Sequence, residues 1–203
     1  MSLTLVTGPV RSGKSRHAES LLHARDHVLY LATGRRADGT DAEWAERVRQ
    51  HRDRRPAGWR TVETTEVEQA VGSTPDPTHP TGSDDPVQAI LVDCLGTWLT
   101  AVVDAVGWSD LAVARSVLDA RSRSLVVALA STRAEIVVVT NEVGWSLVPT
   151  TASGRFFQDE LGRLNALVAA AADRVHLVVA GRVLDLSSAP VVSDRIVNGD
   201  RRT

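Results

Sequence analysis

Cysteine is almost absent from this chain of 203 residues, which has Cys94 and no other. A single cysteine excludes an internal disulfide framework and a cysteine-based zinc cluster. A strong charge is missing too: the net charge of −2 argues against nucleic acid or an anionic membrane as the main partner. No apolar run approaches the roughly 20 residues of a membrane span, and Met1–Thr7 lacks the basic start of a signal peptide. We therefore expect a cytoplasmic protein that binds no nucleic acid.

Lysine is the other scarce residue, because Lys14 stands alone against 22 arginines. A lysine ammonium is a compact charge on a flexible stem, whereas an arginine guanidinium is a planar fork. A chain that otherwise uses arginine throughout indicates that the slim charge is needed at Lys14. Chance placement would also explain one lysine, so the neighbouring residues must decide between the two interpretations.

Apolar, β-prone runs alternate with segments of helical spacing along most of the chain. The predicted strands are Leu3–Thr7, Val28–Ala32, Trp59–Glu63, Ala89–Asp93, Glu135–Thr140 and Val175–Ala180. The predicted helices are Ser15–Arg25, Asp41–Arg54, Ser109–Thr132 and Phe156–Ala172. This alternation is typical of a three-layer α/β domain with a mostly parallel sheet. We assign the domain to residues 1–181, with a proline-rich loop or insertion at 72–86, and treat 182–203 as a C-terminal tail.

A phosphate-binding loop is predicted at Gly8–Ser15, which matches G-x-x-x-x-G-K-[ST] between a strand and a helix. Glycines let such a loop turn its N–H groups toward phosphate oxygens, and the helix adds the positive end of its dipole. Lys14 then reaches the β- and γ-phosphates, and the Ser15 hydroxyl binds Mg²⁺. Asp93, at the end of a buried strand, is the candidate second carboxylate for Mg²⁺, or else a turn or cap residue. The loop predicts nucleotide binding and leaves the reaction open.

A second informative segment is Arg47–Pro56, which reads RVRQHRDRRP. On a helix, Arg47 and His51 lie four residues apart and share one face, and Arg54 or Arg55 falls on that face further along. A neutral histidine among arginines can attack a phosphorus atom, and the cations can stabilise a departing pyrophosphate. A solvated basic helix face with an incidental histidine has the same spacing, so the spacing alone leaves both interpretations open.

These segments resemble the bifunctional adenosylcobinamide kinase / adenosylcobinamide-phosphate guanylyltransferase family of cobalamin synthesis. The opening of that family is similar to Gly8–Glu19, and further similar stretches follow in the same order. They are Leu29–Thr33, Arg47–Arg60, Leu91–Leu95, Val139–Gly144, Gly162–Asn165 and Ala172–Val175. The likeness spans roughly residues 3 to 181, apart from a gap at 72–86. A phosphate loop alone is shared by many families, whereas this ordered set is specific.

The resemblance implies a P-loop NTPase fold with RecA-like strand order, a trimer, and a guanylyl group carried by His51. His51 and Lys14 are therefore the predicted catalytic residues, and Mg²⁺ on Ser15 and Asp93 is the predicted cofactor. The implied substrates are ATP or GTP with adenosylcobinamide, and then GTP with adenosylcobinamide phosphate. The predicted nucleotide-binding residues are Gly8, Pro9, Val10, Arg11, Ser12, Gly13, Lys14, Ser15, Thr33, Gly34, Arg52, Asp53, Arg54, Arg55, Glu63 and Asp93.

Two other functions remain open from the residues alone. One is a small-molecule P-loop kinase without nucleotidyl transfer, in which His51 only helps to bind the nucleotide. The other is a non-enzymatic GTP-binding protein, although no N-K-x-D guanine-reading motif is evident and the only lysine is already used. Asn141 and Glu142 follow a predicted strand, where residues of open α/β sheets line the ligand crevice. Glu142 is the candidate base for the kinase step.

Overall fold

A computed structural model describes residues 2–34, 42–74 and 86–192 of the chain. Most of the proline-rich segment 72–86 lies outside the described residues, as does the tail from residue 193. Helix residue Arg47, predicted to share a face with His51, has a side chain that also lies outside the description.

Seven strands and six helices form from the described residues. The strands are β1 (Ser2–Thr7), β2 (Val28–Ala32), β3 (Arg60–Glu63), β4 (Ala89–Asp93), β5 (Glu135–Val139), β6 (Arg174–Val179) and β7 (Arg182–Asp185). The helices are α1 (Lys14–Leu21), α2 (Ala42–Asp53), α3 (Val67–Gly72), α4 (Leu95–Val106), α5 (Leu111–Ser131) and α6 (Ala152–Ala171). Within the described ranges, no helix has the length and apolar character needed to cross a membrane.

The strands form one sheet in the order β3-β2-β4-β5-β1-β6-β7. Neighbouring strands pair in parallel, except that β7 runs antiparallel to β6. The prediction of a mostly parallel sheet is therefore confirmed. Strand β5 separates β1, which leads into the phosphate loop, from β4, which ends at Asp93. This interposed strand gives the RecA-like order that the resemblance implied.

Three elements are additional to those predicted, namely α3, α4 and β7. Helix α4 has the sequence LGTWLTAVVDAV, in which Thr97, Thr100 and Asp104 are spaced as one polar face, so the helical period that would have predicted it is present in the sequence. Strand β7 is exposed along its whole length and has no apolar alternation, so nothing in the sequence of the tail predicts it. Residues 182–185 thus extend the sheet, although the sequence places them in the tail.

The core has two parts because alternate strand residues face opposite sides of the sheet. On β2, Leu29 and Leu31 pack with residues of α3, α4, α5 and α6, whereas Val28 and Tyr30 pack on the other side with α1. All four are at most 3% exposed. Burying a side chain of this size contributes roughly 1.5–3 kcal/mol relative to leaving it exposed. This two-sided burial explains why the strands are continuous apolar runs.

The carboxyl ends of the parallel strands meet along one edge of the sheet. Thr7 ends β1, Asp93 ends β4, and Thr140 directly follows β5. Ligands of open α/β sheets bind in the crevice beyond such ends. The fold therefore brings the phosphate loop and the predicted polar residues of three separate chain segments to a common edge.

Candidate active site

The phosphate loop connects β1 to α1, and two of its glycines have a steric reason to be glycine. A Cβ added at Gly8 would lie 2.3 Å from the backbone oxygen of Val178 on β6. Gly13 has a φ of +99°, a conformation that residues with side chains rarely adopt. The loop thus packs backbone against backbone on the neighbouring strand.

Hydrogen bonds between backbone groups brace the loop on both sides of β1. The N–H of Glu142, just after β5, donates to the Gly8 carbonyl at 3.0 Å. The N–H of Gly181, in the turn between β6 and β7, donates to the Ser12 carbonyl at 3.0 Å. These two bonds occupy carbonyl groups of the loop, and they leave its N–H groups out of the bracing. N–H groups are the donors that phosphate oxygens accept from.

Lys14 begins α1 and is 6% exposed. Its Nζ donates to the carbonyl of Pro9 at 3.3 Å, so the ammonium is held against the loop itself. A buried charge needs an acceptor or an anion beside it. Ser15 follows at the same helix terminus, where the helix dipole also favours an anion. The two residues predicted to contact phosphate and metal therefore stand together at the loop.

Asp93 lies at the end of β4, with its side chain 10% exposed. Its Oδ2 accepts a hydrogen bond from the Tyr30 hydroxyl at 2.8 Å. The same oxygen lies 3.7 Å from Nδ1 of His51, whose side chain is 24% exposed. The structure therefore brings the predicted nucleophile on α2 next to the carboxylate predicted as a metal ligand.

Of the four predicted nucleotide contacts that directly follow His51, two are exposed and paired on the surface. Arg52 donates to Oε1 of Glu63 at 2.5 Å, and Asp53 lies 3.6 Å from a guanidinium nitrogen of Arg49. Exposed ion pairs contribute only about 0–1 kcal/mol. Arg52 can therefore exchange its carboxylate partner for a phosphate at little cost.

The other two, Arg54 and Arg55, lie closer to the sheet. Arg54 is 3.3 Å from the Glu19 carboxylate, whose pKa lies above its ordinary 4.5 because burial outweighs the opposing effect of Arg54. The guanidinium carbon of Arg55 lies 3.5 Å from the centre of the Tyr30 ring, and its NH1 donates to the Thr61 hydroxyl at 2.9 Å. These contacts attach the chain just after α2 to the rest of the fold.

Two cavities open beside the phosphate loop, and the walls of both contain Lys14, Ser15 and His51. The first has a volume of about 210 Å³, and the second a volume of about 530 Å³. Other predicted residues that line the first are Val10, Gly34, Arg55, Glu63 and Asp93. Those that line the second are Arg11, Ser12, Gly13 and Arg54. The structure thus gathers most of the predicted set around one loop.

Gly8, Pro9, Thr33, Arg52 and Asp53 do not line either of these two cavities. For Thr33 the reason is clear, because it is 1% exposed and its hydroxyl serves the protein itself. The hydroxyl donates to the Cys94 carbonyl at 2.6 Å and accepts from the Cys94 N–H at 2.9 Å. Thr33 therefore joins the end of β2 to the turn between β4 and α4. A nucleotide contact from the Thr33 side chain would require this link to open.

The Cys94 thiol lines the first cavity without the properties of a nucleophile. Burial raises the pKa of this thiol above its ordinary 9.0, with the nearby Asp93 carboxylate as a smaller cause. The thiolate is the reactive form of cysteine, and this environment disfavours it. Cys94 is therefore a buried packing residue.

Sequence reasoning singled out Asn141 and Glu142 as crevice residues, and Asn141 does line the first cavity. The Asn141 carbonyl accepts from the side-chain amide of Asn165 at 3.0 Å. The Thr140 hydroxyl, on a fully buried residue, donates to the side-chain Oδ1 of Asn165 at 2.6 Å. Glu142 accepts through Oε1 from the Gly144 N–H at 3.2 Å. Asn165 thus orients the segment that follows β5.

Tyr30 is the site residue that sequence reasoning missed. It lies inside the apolar run VLYLA, where a tyrosine reads as one more core residue. A usable signal was nevertheless present, because a buried tyrosine hydroxyl usually needs a hydrogen-bond partner. The pKa of Tyr30 is raised well above 10.0, first by burial and then by the Asp93 carboxylate. The hydroxyl therefore stays protonated and remains a donor to Asp93.

The sequence matches the family described as cobinamide kinase / cobinamide phosphate guanyltransferase over residues 4–186. The chain belongs to this family. The bifunctional adenosylcobalamin biosynthesis protein CobU of Salmonella typhimurium is 40% identical over 187 residues, which cover 88% of this chain and 96% of that protein. The protein of the same name from Escherichia coli is 37% identical over 187 residues, with 88% and 96% covered. A crystal structure of the RadB recombinase aligns with 87% of this chain and 73% of its own, at a TM-score of 0.42 and 16% identity.

Membership of the cobinamide kinase / cobinamide phosphate guanyltransferase family confirms the resemblance found in the sequence. It also confirms that the chain is a transferase, with cobinamide and nucleotide substrates implied by the family. The non-enzymatic alternative therefore loses its support. The family match assigns no role to a particular residue, so the roles of His51, Lys14, Ser15 and Asp93 stay predictions.

Proposed function

We propose that this enzyme carries out two successive reactions of cobalamin biosynthesis around His51. It first moves the γ-phosphoryl group of ATP or GTP to the hydroxyl of the aminopropanol arm of adenosylcobinamide. It then transfers GMP from GTP to the resulting phosphate and forms adenosylcobinamide-GDP. The observation that carries the proposal is the shared position of His51, Lys14 and Ser15 in the walls of two adjoining cavities.

In the kinase reaction, the substrate hydroxyl oxygen bonds to the γ-phosphorus as the bond to the bridging oxygen breaks, and ADP or GDP leaves. Lys14 and the N–H groups of the loop stabilise the negative charge on the phosphoryl oxygens. The bracing of the loop through Gly8 and Ser12 supports this role, because fixed donors need not reorganise during the reaction. Glu142 lines neither cavity, although its N–H contacts the loop at Gly8, and it stays the candidate acceptor of the hydroxyl proton.

Ser15 and Asp93 are the proposed protein ligands of Mg²⁺. Both line the first cavity, and hydroxyl and carboxylate oxygens suit this hard cation. A carboxylate has two oxygens, so Asp93 can accept from Tyr30 through Oδ2 and still offer Oδ1. The described residues contain no group of three or more metal-ligating side chains, which suits an ion held largely by phosphates and water. When bound, Mg²⁺ neutralises charge on the phosphate oxygens.

In the guanylyltransferase reaction, a ring nitrogen of His51 bonds to the α-phosphorus of GTP, and pyrophosphate leaves. A phosphate oxygen of adenosylcobinamide phosphate then bonds to the same phosphorus, and the imidazole is released. The covalent intermediate divides one difficult displacement into two easier ones. Arg54 and Arg55, which line the second and the first cavity respectively, are placed to stabilise phosphate charge.

Protein labelling with radioactive GTP tests the covalent step. Incubation with Mg²⁺ and GTP labelled at the α-phosphate, followed by denaturation, should leave an acid-labile label on the wild-type protein. GTP labelled at the γ-phosphate should leave none, because that phosphate departs with pyrophosphate. His51→Ala should lose the label. His23→Ala should keep it, because His23 is an exposed histidine two residues after the end of α1.

Phosphorylation of adenosylcobinamide, followed separately, tests the kinase step. Lys14→Ala should abolish phosphoryl transfer, and an unchanged rate would refute the proposed role of the loop. Phosphorylation without any α-label on the protein would favour the kinase that lacks nucleotidyl transfer. Label that persists in His51→Ala would refute the histidine intermediate.

A trimeric assembly and a cytoplasmic location also belong to the proposal. The family resemblance implies the trimer, and relatives named for cobalamin biosynthesis favour a location in the cytoplasm. Light scattering coupled to size-exclusion chromatography measures the mass of the assembly directly. A mass of one or two chains would refute the trimer, and recovery of the native enzyme in the membrane fraction would refute the location.

A further inference from the structure

Tyr30 is the only tyrosine of the chain, and it stands in the middle of β2 with 1% of its surface exposed. Its hydroxyl donates to Oδ2 of Asp93 across the neighbouring strand at 2.8 Å. A phenylalanine would fill the same space without a polar group to satisfy. The hydroxyl therefore has a specific use in its contact with Asp93, because a buried hydroxyl without a partner would cost stability.

The Asp93 oxygen that accepts from Tyr30 also faces the imidazole of His51. The distance from Oδ2 to Nδ1 is 3.7 Å, which is within the range of an ion pair and longer than a hydrogen bond. Such contacts are often long in ligand-free enzymes and shorten in the reacting complex. A carboxylate opposite Nδ1 favours the tautomer with its proton on Nδ1, which leaves the lone pair on Nε2.

The face of the Tyr30 ring makes a second connection to the helix that carries His51. The Arg55 guanidinium lies over this ring at 3.5 Å, and its NH1 donates to the Thr61 hydroxyl on β3 at 2.9 Å. Helix α2 ends at Asp53, only two residues before Arg55. The ring thus fixes the end of α2 against the sheet, while the hydroxyl fixes the carboxylate that faces His51.

We infer that Tyr30 is a positioning residue for guanylyl transfer, which orients His51 through Asp93 and through Arg55. This inference rests on the proposed function, because it gives Tyr30 a purpose only if His51 is the nucleophile. Tyr30 lines the first cavity, but this role depends on its contacts with Asp93 and Arg55 and not on contact with the reacting phosphorus. Its effect reaches the reaction through the angle and tautomer of the imidazole, so it should change the rate of the covalent step more than the binding of GTP.

The test is a single-turnover measurement of protein-bound GMP in the full-length enzyme with Mg²⁺. Tyr30→Phe keeps the ring and its contact with Arg55, and removes only the hydroxyl. We expect the maximal labelling rate to fall about ten-fold, which corresponds to the loss of one hydrogen bond. The GTP concentration that gives the half-maximal rate should stay within about two-fold of the wild-type value, because the change leaves the binding of GTP itself unaltered.

A double-mutant cycle with Asp93→Asn shows whether the hydroxyl acts through Asp93. If it does, Tyr30→Phe should slow the Asp93→Asn enzyme little further. Thr140→Val is the matched control, because it also removes a buried hydroxyl near the edge of the sheet. That hydroxyl makes a short hydrogen bond to Asn165 and not to Asp93. Any effect of Thr140→Val should multiply with that of Asp93→Asn.

The possible outcomes separate this inference from the proposed function. A wild-type enzyme that shows no His51-dependent label overturns the proposed function and this inference with it. If the wild type is labelled and Tyr30→Phe is labelled at the same rate, the inference alone is overturned. It is also overturned if the fold-changes in labelling rate caused by Tyr30→Phe and Asp93→Asn multiply in the double variant. Nitrogen-15 NMR of the His51 ring adds a readout independent of turnover. The wild type should show the Nδ1–H tautomer, and Tyr30→Phe should reduce its population; an unaltered tautomer overturns the role.

Discussion

Gly8 and Val178 approach each other so closely that a single methyl group would not fit between them. A Cβ on Gly8 would lie 2.3 Å from the Val178 carbonyl oxygen, and that oxygen belongs to the backbone of β6. Backbone of a central sheet cannot move aside as the end of a flexible side chain can. The contact therefore sets the distance between the phosphate loop and the sheet.

Gly8→Ala should consequently impair both stability and nucleotide binding. Overpacking of this kind costs about 1–3 kcal/mol, and the displaced loop should bind GTP poorly. Urea unfolding and calorimetric titration with GTP measure the two effects. The control is Gly162→Ala in α6, where a Cβ would meet nothing within 4 Å. That change should stabilise the protein by about 0.5–1 kcal/mol, and equal behaviour of the two variants would contradict the steric argument.

Glu19→Gln should make the protein more stable near pH 7. The pKa of Glu19 is raised above 4.5 because burial disfavours the carboxylate more than Arg54 favours it. A raised folded-state pKa means that the group's stabilising contribution is present below pH 4.5 and is lost as the pH rises through the folded value. The wild type should therefore be less stable than Glu19→Gln at pH 7, and the two stabilities should become similar near pH 4. Urea unfolding across this range is the measurement, and a gap that does not depend on pH would contradict the prediction.

His17 should resist protonation, with the opposite consequence for stability. Its Nε2 lies 3.0 Å from Nδ1 of His176 on β6, and its pKa is lowered from 6.5, first by burial and then by His176. A histidine with a lowered folded-state pKa contributes stability above pH 6.5 and loses it as the pH falls through the folded value. NMR titration should show His17 more than half neutral at pH 6.5, and His176→Gln should raise the pKa of His17 only partly. Complete restoration to 6.5 would make His176, rather than burial, the main cause.

Arg52 and Arg55 should separate ligand binding from stability. Arg52→Ala removes an exposed ion pair with Glu63. The free energy of unfolding should therefore change by less than about 1 kcal/mol, while the affinity for GTP should fall. Arg55→Ala removes a contact with the Tyr30 ring and a hydrogen bond to Thr61. It should destabilise the protein by about 1–3 kcal/mol. Chemical unfolding and GTP titration of both variants check this, and an Arg52→Ala protein with unchanged affinity would remove Arg52 from the proposed binding set.

Asn165→Ala should destabilise the segment after β5, because it leaves the fully buried Thr140 hydroxyl without its partner. An orphaned buried polar group costs about 1–3 kcal/mol. Thr140→Val in the same chain should recover part of this loss, since it removes the orphaned hydroxyl. Urea midpoints of the single and double variants provide the measurement. A double variant less stable than Asn165→Ala would show that the hydroxyl finds another partner.

The sheet and the phosphate loop were predictable because local patterns specify them. Continuous apolar strands can only be buried on both faces, and the glycines and lysine of Gly8–Ser15 serve one purpose at one place. Helix α4 could also have been predicted from its period, because Thr97, Thr100 and Asp104 share one polar face while the buried residues of the helix lie on the other.

The contact partners of individual side chains could not be predicted from the sequence. Arg52, Arg54 and Arg55 are equivalent on paper, yet one meets Glu63 on the surface, one meets Glu19, and one lies on the Tyr30 ring. Thr33 was assigned to the nucleotide, whereas its hydroxyl is bonded within the protein. Which neighbour a side chain finds depends on strand order, and the strand order came from the family resemblance rather than from spacing.

The presence of His51 in the walls of both cavities has a consequence for the order of events in one subunit. A GMP group bonded to this imidazole would occupy space that a new nucleoside triphosphate needs in either cavity. An enzyme molecule whose His51 carries GMP would therefore have to transfer that GMP before it could phosphorylate another acceptor. The two chemistries would alternate by steric occupancy, without any moving gate.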